Sequence, residues 1–197
     1  MSAVSAPFGL RPSFHNSGQI RPKAYTIAST YGTSIFSGDP VKLTDNGVIQ
    51  LGSSDGTRSG TTDGIALLGI FAGCQYLDAT GKPTISPFWP SGTTGTEIVA
   101  WVYDDPETLF DVQYDNPSAG TTVQTAVGEE CDWVVASPGG STSTGLSNTK
   151  LSAIQATSGQ FQITGFAYGV NDTLTDAFVV ATVRINEHHY KAAVNSI

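Results

Sequence analysis

Val41-Lys42-Leu43-Thr44-Asp45-Asn46-Gly47-Val48-Ile49-Gln50-Leu51 holds the sharpest local signal in the chain. Val41 and Leu43 alternate with Lys42, and a second apolar run, Val48 to Leu51, follows Asn46-Gly47. An Asn-Gly pair between two such runs turns a strand back on itself, because both residues tolerate the backbone of a tight hairpin. The stretch therefore predicts two antiparallel strands. On the N-terminal side, Ser34 to Leu43 predicts a strand interrupted by Gly38-Asp39-Pro40, a turn or bulge signal. On the C-terminal side, a polar loop (52–64) leads into the apolar run from Ile65 to Tyr76, whose length and flanking glycines suit a strand buried on both faces.

The same pattern recurs to the end of the chain. Thr84 to Trp89 predicts a short edge or bulged strand because Pro87 lies inside it. Glu97 to Tyr103 is apolar at nearly every position. In Leu109 to Tyr114, Phe110, Val112 and Tyr114 take one face and Asp111 and Gln113 the other, the alternation of a half-exposed antiparallel strand. Thr121 to Glu130 is the one candidate helix, capped by Ser118 or Thr121. Cys131 to Ala136 predicts a strand, and Ser137 to Asn148 a flexible loop. Phe161 and Ile163 change phase with Phe166 and Tyr168 across Gly165, which predicts a bulge. Phe178 to Ile185 alternates throughout. About ten short strands separated by turn signals indicate a mainly β fold, a compact antiparallel barrel or sandwich. An extended N-terminal arm (1–24) precedes the β-rich body (25–187), and a short C-terminal tail (188–197) follows it.

Charge divides the chain differently. The first 38 residues contain no Asp or Glu and carry Arg11, Arg21 and Lys23; all 17 acids follow, against six Lys or Arg. A net charge of −8 argues against nucleic acid as a partner, since phosphate binding needs a concentrated basic surface. An anionic membrane surface is disfavoured on the same ground, and no apolar run approaches the ~20 residues needed to cross a bilayer. Met1 to Leu10 lacks the charged and apolar regions of a secretion signal, so the chain reads as folded in a cytoplasm. In the arm, Pro7, Pro12 and Pro22 favour extended backbone. Phe8, Phe14 and Tyr25 are more aromatic than a solvated tail needs. Phe8, Arg11, Phe14, Arg21, Lys23 and Tyr25 are therefore the candidate partner-binding residues.

No constellation argues for an enzyme. Asp104-Asp105 reads as an acidic turn. Asp104, Glu107 and Asp111 lack the spacing of a calcium loop. Gly52-Ser53-Ser54-Asp55-Gly56 matches a nucleophile elbow in letters but lacks the helix that must follow. His188-His189 reads as a polar junction to the tail. Cys74 and Cys131 read as buried reduced thiols with no zinc-ligand spacing, a disulfide between them being the alternative that sequence does not decide. Of the three tryptophans, Trp101 and Trp133 lie in apolar strands, while Trp89, between Pro87 and Pro90, is the candidate for exposure. No cofactor or metal is expected.

Several segments together resemble the capsid decoration, or cement, proteins of tailed bacteriophages. They are Ala6 to Pro12, Gly38 to Leu43 with the Asn46-Gly47 turn, Gly69 to Cys74, Thr80 to Pro83, Pro87 to Pro90 and Val102 to Pro106. The resemblance covers most of residues 6 to 187 and rests on structural rather than catalytic motifs. It implies a non-enzymatic virion protein made in the host cytoplasm. Its place would be the outer capsid surface, where it binds the major capsid protein and neighbouring copies of itself as a dimer or trimer. A tail or neck component, or a carbohydrate-binding β-sandwich, is the alternative.

Overall fold

The computed structural model describes residues 4–53, 66–116, 122–155, 159–167 and 173–191. Most of the polar loop at 52–64, the Ser54 elbow position, the cap candidates Ser118 and Thr121, Tyr168 and most of the tail lie outside them. Among the described residues there are fourteen strands. They are β1 (Arg11–Phe14), β2 (Lys23–Tyr25), β3 (Ile35–Phe36), β4 (Pro40–Leu43), β5 (Ile49–Leu51), β6 (Gly69–Leu77), β7 (Pro83–Ser86), β8 (Phe88–Trp89), β9 (Thr96–Tyr103), β10 (Leu109–Asp115), β11 (Glu130–Gly140), β12 (Ser147–Gln155), β13 (Phe161–Phe166) and β14 (Phe178–Ile185).

The hairpin forms, with Val41 opposite Leu51 and Leu43 opposite Ile49, one residue out of the register that a two-residue Asn46-Gly47 turn would set. Its loop is one residue longer than a two-residue turn. Gly47 N–H donates to Thr44 O (2.8 Å), Thr44 N–H donates to Val48 O (3.0 Å), and Gly47 alone takes positive φ (73°). Only glycine adopts that backbone without Cβ strain, so Gly47 rather than Asn46 sets the turn.

β10, β12, β11, β13 and β14 form a closed five-stranded barrel, with β10 pairing both β12 and β14. Closure needs one parallel contact, Tyr114 opposite Leu151; β14 runs antiparallel to β10 along its length, from Leu109–Arg184 to Asp115–Phe178. Inward residues alternate as the sequence indicates, with Phe110, Val112, Tyr114, Val179, Ala181, Val183 and Ile185 all buried. The phase change at Gly165 is a register shift between Ile163 and Gly165.

A second sheet runs β2-β9-β6-β4-β5, with β7 beside β6. It curls back on itself where Ile27 bridges Ile49 and Ile49 N–H donates to Thr26 O (2.9 Å). This sheet has its own core of Ile27, Val41, Ile49, Leu68, Phe71 and Val102. The apolar run before Tyr76 is buried on both faces because it separates the two cores. Leu67 and Ile70 belong to the barrel core, while Leu68 and Phe71 belong to the other.

Several expectations are corrected. The Thr121–Glu130 helix is a single 3-10 turn, Val123–Ala126, capped by Thr122, whose hydroxyl accepts from Gln124 N–H. Residues 137–140 extend β11, and β12 begins at Ser147, so only 141–146 remain a loop. Serine, threonine and glycine sit in these strands because Ser147 and Thr149 are fully buried hydrogen-bonding residues rather than solvated ones. Trp89 is fully buried, and Trp101 is the partly exposed tryptophan. Pro87 splits the expected strand, and β8 then pairs with β3, which carries Trp89 into edge contact with Tyr76 (5.3 Å between ring centroids). His188 is 3% exposed, not a polar junction. It bridges Leu67, with Leu67 N–H donating to Glu187 O and His189 N–H to Leu67 O, both at 2.8 Å.

The N-terminal segment is extended, and it lies along the body. β1 pairs antiparallel with β10, Arg11 opposite Asp111 and Pro12 opposite Phe110, and β2 pairs with β9. Leu10 is buried in the barrel core. β1 covers the end of β10 that β12 leaves, and Ala6 N–H and Ser5 Oγ bond the Gln113 side chain farther along (2.8 and 2.9 Å). That cover explains why Gln113, on the face expected to be exposed, is 4% exposed.

Candidate interaction surface

The fold divides the six candidate contact residues. Phe8 is half-buried, with the Arg11 guanidinium over its ring at 4.5 Å. Such a contact holds the charge in place without neutralising it. Phe14, at the end of β1, is 54% exposed. Arg21 is exposed and donates to Gln19 Oε1 (2.6 Å). Arg11, Phe14 and Arg21 therefore face outward from a segment without carboxylates. β1 is an edge strand, and among the described residues its second edge has no strand partner. Such an edge is a site for adding another chain.

Lys23 and Tyr25 turn towards their own chain. Tyr25 OH donates to Asp104 Oδ2 (2.5 Å) and stands 3.2 Å from Tyr190 OH. Lys23 Nζ is 3.4 Å from the same carboxylate oxygen and lies over the rings of Tyr25 and Tyr190 at 5.5 and 5.4 Å. Burial, then the bonds to Asp104 and Tyr190, push the Tyr25 phenol well above its ordinary value. The cluster ties β2, the turn after β9 and the segment after β14 into one contact.

Asp104 and Asp105 diverge, as adjacent residues entering a turn do. Asp105 Oδ2 is 3.2 Å from His15 Nε2, and its Oδ1 accepts from Glu107 N–H (2.9 Å). The Asp104 side chain is 14% exposed and the Asp105 side chain 50%, so one carboxylate is internal and the other superficial. Among the described residues no group of three His, Cys, Asp or Glu side chains could hold a metal ion. Cys74 and Cys131 are free and buried in different cores, and burial pushes both thiols up to about 12. A thiol so protonated is a poor nucleophile.

A second polar centre joins residues too far apart in the chain for any local signal to mark it. Asp39 is 2% exposed. Its Oδ2 accepts from Phe36 N–H (2.7 Å), and its Oδ1 accepts from Ser147 Oγ (2.5 Å) and Thr149 Oγ1 (3.0 Å). Burial raises its carboxyl pKa, and the three donors pull the other way. Beside it, Gly9 N–H donates to Thr149 O (3.1 Å) and Leu10 N–H to Gly38 O (2.9 Å). A Cβ at Gly9 would meet Ser147 Cβ at 2.9 Å, and its φ is +75°, so the chain passes this point only as glycine. The Gly38-Asp39-Pro40 signal is thus a joint between the second sheet, the barrel and the N-terminal segment. Composition gave no sign of it, because its partners are two hydroxyls in a Ser/Thr-rich stretch.

No family model, no curated protein and no solved structure matches the chain.

Proposed function

We propose that this protein is a non-enzymatic virion component that attaches to the outside of a tailed-phage head and bridges neighbouring major capsid subunits. The observation that carries this reading is the N-terminal segment: acid-free, laid along the edge of an acidic body, with Arg11, Phe14 and Arg21 turned outward. An exposed aromatic flanked by arginines on an open strand edge suits a protein surface bearing carboxylates. The resemblance of most of residues 6 to 187 to decoration proteins supports the major capsid protein as that surface. Modest contacts suffice, because a lattice presents many equivalent sites and joined copies bind by avidity.

The test is co-sedimentation of the full chain with undecorated heads, compared with Phe14→Ala and Arg21→Glu. Neither side chain is buried, so both variants should fold. The proposal expects binding by the wild type and weakening of about tenfold or more in the double variant, the usual cost of losing a central aromatic and a charge. Undiminished binding by the double variant would move the contact elsewhere on the surface. Absence of wild-type binding would remove the capsid reading.

A further inference from the structure

We propose that residues 4–14 exchange between copies, so that the N-terminal segment of one molecule takes, on β10 of a second, the place it holds on its own. The partner is thus a second copy of this chain, and the binding site is the β10 edge with the socket that receives Leu10.

Three observations carry the inference. The first is where β1 sits. Among the described residues the β10–β12 ladder pairs only Tyr114 with Leu151, so the Leu109–Asp111 part of that edge is completed by β1, which precedes it by nearly 100 residues. The barrel therefore depends on a segment separated from it by the whole second sheet. The second is what holds the segment. Its contacts are the β1–β10 ladder, the Gln113 bonds to residues 5 and 6, the Gly9 and Leu10 amide bonds, and the single buried apolar side chain of Leu10. Each of these is available without change to an identical segment arriving from another molecule, which is why exchange of an element costs little once copies are close.

The third is the connection. Residues 16–19, 21 and 22 are exposed, and the chain reverses through a turn in which Gly18 N–H donates to His15 O (2.9 Å). A few polar contacts hold it: His15 to Asp105 and Ser17, and Arg21 to Gln19. Opened, the eight residues 15–22 would span about 26 Å at ~3.3 Å per residue. That is enough to carry β1 to an adjacent molecule while β2 stays on β9.

The test uses Arg11→Cys and Asp111→Cys, which face each other across the ladder. The two full-length variants are mixed, unfolded, refolded together at high concentration and then treated with a short bismaleimide. The native thiols are buried and do not compete once the chain is folded. Exchange predicts a crosslinked species of twice the chain mass carrying one copy of each variant. A mixture that stays uncrosslinked, while Arg11→Cys/Asp111→Cys in one chain crosslinks internally, overturns the proposal. Deleting residues 16–18 gives an independent readout. Without the turn the segment cannot fold back, so light scattering should report a dimer at concentrations where the wild type is monomeric, and a monomer would contradict exchange. Neither experiment involves a capsid, so failure here and failure of the attachment reading are separable.

Discussion

Asp39 accepts a 2.5 Å hydrogen bond from Ser147, 108 residues further along the chain, and the pair joins the second sheet to the barrel. Removing the carboxylate leaves the Phe36 amide and the hydroxyls of Ser147 and Thr149 buried without that acceptor. Asp39→Ala should cost about 3 kcal/mol, the range for orphaned buried donors. Urea unfolding would measure it as a lowered midpoint. Burial also raises the native carboxyl above the ordinary 3.8. The native state then holds its proton more tightly than the unfolded chain, so this group's contribution falls as pH rises from 3.8 through the native value. Asp39→Asn should therefore gain relative to wild type as pH rises over that window.

Tyr25 obeys the same sign at the other end of the scale. Its phenol is raised by burial and by Asp104 and Tyr190, so its contribution is intact below the ordinary 10.0 and is lost as pH climbs beyond it. Tyr25→Phe should cost about 1–2 kcal/mol at neutral pH, the value of a part-exposed bond to a carboxylate. The penalty should shrink in alkali. Unfolding curves below and above pH 10 would reveal the convergence, and a constant gap would contradict the shift.

His188 Nδ1 accepts from Tyr190 N–H at 3.1 Å, which requires the neutral ring. Burial lowers its pKa below 6.5, and the His189 charge lowers it further, while Asp104 and Asp105 oppose. The unfolded chain then takes up the proton first, so wild-type stability falls as pH drops below 6.5. His188→Asn, which keeps an acceptor but cannot titrate, should flatten that part of the profile. An unchanged acid limb would show that other groups govern it.

The N-terminal segment belongs to the body energetically. Leu10→Ala should cost about 2–4 kcal/mol, as for other buried leucines. Truncation before Tyr25 removes β1, Lys23 of β2 and the cover over Gln113, so it should lower the unfolding midpoint as well as any capsid binding. A truncated chain as stable as wild type would mean that the β1–β10 ladder contributes nothing.

These placements show what a sequence can and cannot carry. The β4–β5 hairpin and the inward faces of β10 and β14 were legible because turn chemistry and period-two alternation are local. The pairing of Arg11 with Asp111, the bridge from Leu67 to His188 and the burial of Trp89 were not, since each depends on a partner far away in the chain. Ser147 and Thr149 were misread because hydroxyl-rich strands and hydroxyl-rich loops share a composition. That Arg11, Phe14 and Arg21 face outward while Lys23 and Tyr25 turn to Asp104 is not legible in the composition break, because nothing local marks Asp104 as a partner.

The most direct test of the attachment account is a cryo-EM map of undecorated phage heads after incubation with the full-length protein. The account predicts added density on the outer surface at boundaries between major capsid subunits, with the β1 edge and Phe14 against the shell. Heads that remain bare at saturating protein, or density confined to a tail or neck, would contradict it.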